Sequence, residues 1–215
     1  MTGLTIEAVL TGAAQPFRGE EMSAIVKVPR LGAVVVKPLG LDGDEQADTV
    51  HHGGTDMAIH HYPRDHYAWW AGLMPDQPLL GAAGAFGENI STTGLDERAA
   101  CIGDRYRLGT ALVEVSQGRK PCWKPAHRLG RPALVAEIVR SSRSGWYYRV
   151  IEPGVVAVGD MLKLEALPCP EWTVARVFDL IVGSAGRSDP AALRALGGLK
   201  SLPAEWRDRA RHMAA

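Results

Sequence analysis

No two cysteines in this chain lie close enough in sequence to grip a metal together. There are three in 215 residues, Cys101, Cys122 and Cys169, and this spacing excludes a Cys-x-x-Cys pair, a structural zinc set and a disulfide framework. A charge excess is missing too, since Lys plus Arg and Asp plus Glu both number 24. Without a global field, neither a nucleic acid polymer nor a membrane surface is an expected partner, and any basic patch must be local. No apolar run approaches the roughly 20 residues of a membrane helix. Residues 1–7 lack the basic and apolar regions of a signal peptide. A cytoplasmic, reducing setting is the expectation.

The remainder is ordinary globular material, 46% hydrophobic and 22% charged, enough for one sizeable domain with or without a small appendage. The first three quarters read mainly as β. Short segments rich in β-branched residues are predicted over residues 5–10, 22–28, 33–37, 56–62, 111–116, 146–151 and 160–166. Glycine-rich turns punctuate them, which predicts a closed or nearly closed barrel. Two peripheral helices are predicted over 63–72, opening on proline, and 131–142, where Leu134, Val135, Ile138 and Val139 recur at helical spacing. After Pro170 the pattern turns helical. Thr173 caps a stripe of Val174, Val177, Phe178 and Ile181, Asp189-Pro190 opens a second helix, and Pro203 opens a third carrying Trp206.

The segment richest in chemistry is Ser116-Gln117-Gly118-Arg119-Lys120-Pro121-Cys122-Trp123-Lys124-Pro125. It reads as a proline-stiffened loop holding one thiol among cations, with His127 and Arg128 following. Cations favour the thiolate, which is both the nucleophilic and the metal-binding form of cysteine. These residues alone leave nucleophile and metal ligand equally open. Cys101 and Cys169 lack such neighbours and read as incidental thiols.

Other segments have a functional and a plain reading. Gly40-Leu41-Asp42-Gly43-Asp44 offers two acids to a cation, but is also ordinary turn chemistry. His51-His52-Gly53-Gly54 and His60-His61 suggest a metal site at first. Neighbours on a strand point to opposite faces, so the Gly-Gly step reads better as a cradle of backbone N–H groups for an anion. Arg64 has a guanidinium suited to phosphate or carboxylate, and equally a place on a solvated helix face. Asn89, in Phe86-Gly87-Glu88-Asn89-Ile90, can donate and accept toward a heterocycle or belong to a turn.

Taken in order, these segments resemble the MOSC domain, the molybdenum cofactor sulfurase C-terminal family, in its YiiM-type branch. The carrying residues are Gly40 to Gln46, His51 to Gly54, His60 to Tyr67, Phe86 to Ile90, Ser116 to Lys124 and Gly145 to Val150. The tail from Trp172 to Met213 is similar to the three-α-helix domain that follows MOSC in this branch, so the resemblance covers nearly the whole chain. One departure is Gly118, where the family pattern would have proline after Ser-Gln, and it bears on the loop that holds Cys122.

The resemblance implies a mainly β fold, a MOSC-type β-barrel over 1–168 with its motif-bearing core at about 22–165, and a C-terminal three-helix domain over 171–215. It also implies a molybdenum cofactor, Mo-molybdopterin, with Cys122 as the molybdenum ligand and catalytic residue; pyridoxal phosphate is not required. His52, Gly53, Gly54, Arg64, Asn89, Arg119 and Lys120 would surround the cofactor or substrate. The pterin brings its own dithiolene sulfurs, which suits a chain with no multi-ligand cluster. The implied activity is that of a molybdoenzyme reducing N-hydroxylated compounds, such as N-hydroxylated purine bases and hydroxylamines, to amines. Electrons would come from a separate flavin or iron–sulfur reductase, because the chain has no dinucleotide fingerprint or cluster motif. The C-terminal helices would either dock the electron donor or pack two subunits together, and a homodimer is the expected assembly. Two alternatives are a carrier of cofactor or sulfur with a persulfide on Cys122, and a cysteine hydrolase with His52, His60 or His127 as base.

Overall fold

A computed structural model describes residues 3–47 and 53–215. The N-terminal part holds β1 (Leu4–Thr5), β2 (Ala8–Thr11), β3 (Gln15–Arg18), β4 (Glu21–Ser23), β5 (Val28–Pro29), β6 (Val34–Lys37) and β7 (Gly40–Leu41). Then come β8 (Ile59–His61), α1 (His66–Leu73), β9 (Ile90–Ser91), β10 (Arg105–Leu108) and β11 (Ala111–Gly118). Helices α2 (Trp123–Arg128) and α3 (Leu134–Ser141) precede β12 (Trp146–Glu152), β13 (Gly154–Val156) and β14 (Met161–Ala166). The tail is α4 (Val174–Ile181), α5 (Pro190–Gly198) and α6 (Ala204–Ala214). No helix among the described residues is long and apolar enough to cross a membrane.

One curled sheet organises the molecule, in the order β1-β14-β10-β11-β12-β8-β9-β2-β5. Among the described residues its ends do not pair with each other, so the sheet forms a half-barrel, within the closed or nearly closed barrel that the turn pattern predicts. A smaller sheet, β13-β6-β7, and the hairpin β3-β4 complete the β structure. The segment 5–10, predicted as one strand, is two. Leu4 and Thr5 pair with β14, and from Ala8 the chain pairs with β9. Residues 22–28 are strand only at their ends, and 56–62 opens with a 3-10 turn, Thr55–Met57, before β8.

At the centre of the sheet lies β11, buried along its whole length. Val113 and Val115 supply the apolar surface, and the polar Glu114 and Ser116 have partners. Glu114 takes Arg105 at 2.8 Å and Arg149 at 2.7 Å, and the Ser116 hydroxyl lies within hydrogen-bond reach of the Asp56 and Tyr147 carbonyls. Paired in this way, a buried carboxylate is tolerated in a core strand. Beneath the sheet, Tyr62 stacks on Phe86 with ring centroids 4.2 Å apart and accepts the Trp70 indole N–H at 2.6 Å.

The C-terminal helices begin as the caps predict. Thr173 Oγ1 accepts the Arg176 N–H at 3.2 Å, and Asp189 Oδ1 accepts that of Ala192 at 2.9 Å. Val174, Val177, Phe178 and Ile181 join the same core as the sheet. Gly118 explains how α4 comes so close. A Cβ there would meet Phe178 Cδ2 at 3.2 Å and Val174 Cγ1 at 3.4 Å, so the residue that departs from the family pattern is where helix and strand touch.

Two predictions follow from this packing. Gly118→Val should overpack the contact and cost about 1–3 kcal/mol in urea unfolding. Combined with Phe178→Ala, the losses should fall short of additivity by at least about 0.5 kcal/mol; strict additivity would dismiss the contact. Asp104 offers the second. It is 1% exposed, accepts the Cys101 N–H at 2.9 Å and the Tyr106 hydroxyl at 3.4 Å, and its Oδ1 has no partner. Burial pushes its pKa up to about 6 from 3.8. The folded state then binds this proton more tightly than the unfolded chain, so at this site acidification through pH 6 towards 4 favours folding. The urea midpoint of the native protein, relative to Asp104→Asn, should rise between pH 8 and pH 5, and a constant difference would refute it.

Candidate functional site

Cys122 stands where the chain leaves the central strand and enters a short helix. Arg119, just past β11, donates its backbone N–H to the Gly145 carbonyl at 3.0 Å. Cys122 is extended, with φ −121° and ψ 178°, and caps α2. The expected loop is therefore partly helix. Pro125 falls in the first turn, where a missing N–H costs nothing. The β3–β4 hairpin leans on α2, with Phe17 5.9 Å from the Trp123 ring and 5.2 Å from that of His127. Lys124 Nζ donates to the Met22 carbonyl at 3.3 Å and Arg128 Nη1 to that of Ile25 at 2.5 Å. These contacts hold residues 22–27 opposite the thiol.

Between them opens a cleft of about 660 Å³, its mouth included, lined by Ile25, Lys27, Asp44, His60, Asn89, Arg119, Cys122, Lys124 and Tyr147 among others. Asp44 is its hub. The carboxylate accepts the Gly12 N–H at 2.8 Å, the Lys27 ammonium and the Asn89 amide at 2.8 Å. Burial lowers the Lys27 pKa despite the opposing pull of Asp44. Arg119 is buried as well. Desolvation opposes its charge, but Tyr147 and the Cys122 sulfur beside it outweigh that and hold its pKa raised. The wall thus carries a thiol next to a guanidinium that is charged at any working pH.

The histidine pair divides as strand alternation requires. His61 points into the core, with its nitrogens 3.0 Å from both the Tyr148 and Thr92 hydroxyls, and burial lowers its pKa to about 3. His60, on the other face, reaches the cleft. Asp42, the other acid of the first glycine turn, pairs with Lys37 at 2.5 Å at the surface. The turn's acids thus face lysines of the chain itself.

Of the residues the sequence proposed, Asn89, Arg119 and Cys122 meet in this cleft. Asn89 does so as part of the frame. Its Oδ1 accepts the His60 N–H at 3.0 Å and its amide donates to the Leu10 carbonyl and Asp44, which occupies the edge expected to read a heterocycle. Gly54 has φ +94°, and its N–H goes to Gln46 Oε1 at 3.0 Å instead of facing an anion. Neither Gly53 nor Gly54 lines the cleft, although their neighbour Met57 does. Arg64 lies apart, 4.1 Å over the Tyr67 ring with Nη2 donating to the Gly81 carbonyl at 3.1 Å. Stacking three residues along its own chain wins over the pocket. Lys120 is 57% exposed and 3.8 Å from Glu205 of α6. His52 lies outside the described residues. Sequence reasoning missed Lys27 and Tyr147. The signal for Lys27 was its place within an apolar run, and for Tyr147 its alternation with buried Trp146 and Tyr148.

Among the described residues, no three His, Cys, Asp or Glu side chains gather as a metal-binding group. The donor set here is one sulfur flanked by cations, which fits a group that carries most of its own metal ligands and an anionic arm.

Residues 48–163 match the MOSC domain family. Over 177 residues the chain is 41% identical to Protein YiiM of Escherichia coli (strain K12), spanning 82% of this chain and 75% of that one. It is 39% identical over 186 residues to a protein named Reductase from Gibberella moniliformis, a match covering 86% of this chain but 32% of its relative. The crystal structure of YiiM from Geobacillus stearothermophilus superimposes with a TM-score of 0.83 at 30% identity, over 99% of this chain and 100% of the other. With its half-barrel, helical tail and cysteine cleft, the chain belongs to the MOSC domain family, on its YiiM-type branch.

Proposed function

We propose that this protein is a molybdenum-cofactor-dependent reductase that converts N-hydroxylated compounds, such as N-hydroxylated purine bases and hydroxylamines, to amines. The observation that carries the reading is the single thiol of Cys122 sharing a cleft with the buried Arg119 guanidinium. Soft thiolate sulfur suits a redox-active metal, and a guanidinium suits a phosphate. Family membership and the relative named Reductase lend support.

When bound, the cofactor would supply two-electron redox chemistry, with electrons drawn from a separate flavin or iron–sulfur reductase. The chain's own residues do the holding. Cys122 offers one sulfur. Arg119 and Lys124 hold the anionic arm, whereas Lys27 is already neutralised by Asp44 and serves as wall. Tyr147, beside Arg119, closes the inner side. The barrel thus provides orientation and electrostatics and leaves the bond-breaking to the cofactor.

The test is metal and pterin content of protein made in a molybdate-fed host, together with donor-coupled reduction of an N-hydroxylated base. Changes around a metal site commonly lower affinity by about 10–100-fold, so Cys122→Ser should lose bound molybdenum and at least about 100-fold in turnover. Full turnover by the variant would refute the ligand assignment. The same guanidinium would also stabilise an anionic persulfide. Molybdenum-free protein with a cyanide-labile sulfur on Cys122 would therefore make it a carrier of sulfur or cofactor instead.

A further inference from the structure

One side chain of the cleft has no role in this scheme. His60 is 3% exposed, lines the cleft with Arg119, Cys122 and Tyr147, and its Nε2 has no hydrogen-bond partner. A buried polar atom left unpaired costs folding free energy and calls for a reason. Its neighbour His61 is the internal comparison, buried on the other face of the same strand with both nitrogens in reach of hydroxyls.

The surroundings keep this ring in place. Asn89 Oδ1 holds the His60 backbone N–H at 3.0 Å. Tyr147, its partner across the strands, lies 5.2 Å away ring to ring. On the Nε2 side stands Gly145, where a Cβ would approach to 2.9 Å. Burial, with Arg119 and Lys27 adding to it, pushes the pKa well below the ordinary 6.5 and outweighs the opposing Gly87 carbonyl. A neutral imidazole has one donor and one acceptor.

We propose that His60 is a substrate-binding residue that hydrogen-bonds the uncharged N–OH or amine group of the cleft's occupant. The inference rests on the reductase reading for the identity of that group. With the ring's N–H given to the Gly87 carbonyl, Nε2 is left as an acceptor, and an N–OH or an amine N–H can donate to it. An anionic group would go to the Arg119 guanidinium, and a cationic one would be repelled by it. His60 is thereby separated from the metal-ligand and hydrolytic-base roles that its sequence position left open.

The experiment uses the cofactor-loaded protein, labelled with ¹⁵N-histidine and kept without electron donor. The probes are an N-hydroxylated purine base and its parent amine. Either probe at saturation should shift the His60 ring nitrogens while leaving those of His61 in place. His60→Leu should weaken probe binding by about tenfold, and His60→Gln, which keeps a donor and an acceptor, should stay within about threefold. A folded His60→Leu protein with unchanged affinity would overturn the proposal, as would a His60 signal that moves no more than that of His61. Should the leucine variant not fold, the signals of the native protein decide alone. If native protein binds the base through His60 but does not reduce it when the donor is added, only the reductase reading fails; if it reduces the base with His60 unmoved, only this inference fails.

Discussion

A buried carboxylate, Asp44, holds the cleft together. Three separate parts of the chain converge on it, the Gly12 amide, the Lys27 ammonium and the Asn89 side chain. Removing one partner of a buried ion pair commonly costs about 3–5 kcal/mol, because the other charge is left without compensation. Here the loss would extend further. Lys27 belongs to the segment facing Cys122, and Asn89 in turn holds the backbone of His60. One ionised group therefore fixes the wall opposite the thiol and the strand that forms the floor.

Much of the fold was legible because it is written locally. Runs such as Val34–Lys37 and Ala111–Gly118 have β-branched residues and turn signals at their ends, and the tail helices carry their caps in sequence. What escaped was written at long range. The Arg-Tyr-Arg-Leu of β10 looks polar until its arginines meet Glu114, Glu152 and Glu165 on other strands. The opening of the barrel depends on which edges find partners, and no local pattern records that. Helix α2 was hidden by Pro121 before it and by Pro125, which its first turn accommodates.

Of the residues singled out in the sequence, Asn89, Arg119 and Cys122 line one cleft, and Arg64 and Lys120 lie apart from it. Cys122 stood out by composition, and it lines a cleft with Lys27, Asp44, His60 and Arg119. The crowd of cations around it in sequence is dispersed in space. Lys120 turns to Glu205, Arg128 to the Ile25 carbonyl and His127 to Phe17, while Arg119 and Lys124 stay. Nearness along the chain measures electrostatic neighbourhood poorly once a helix rotates alternate residues away. The converse is Asp44 and Asn89, 45 residues apart yet 2.8 Å from one another.

The pairing of β1 with β14 has a consequence for how the chain is made. Leu4 faces Leu162 in the register of the main sheet, so the first strand has no partner until the last is synthesised. At about 5–20 residues per second on the ribosome, that is a wait of roughly 10–30 s. Such distant pairing is slow to form and leaves strand edges open meanwhile. Helix α4, which rests on Gly118, emerges later still. A nascent chain of this protein therefore passes through a long interval in which strands are present but the half-barrel is not, and its yield in a cell depends on what shields those edges until translation ends.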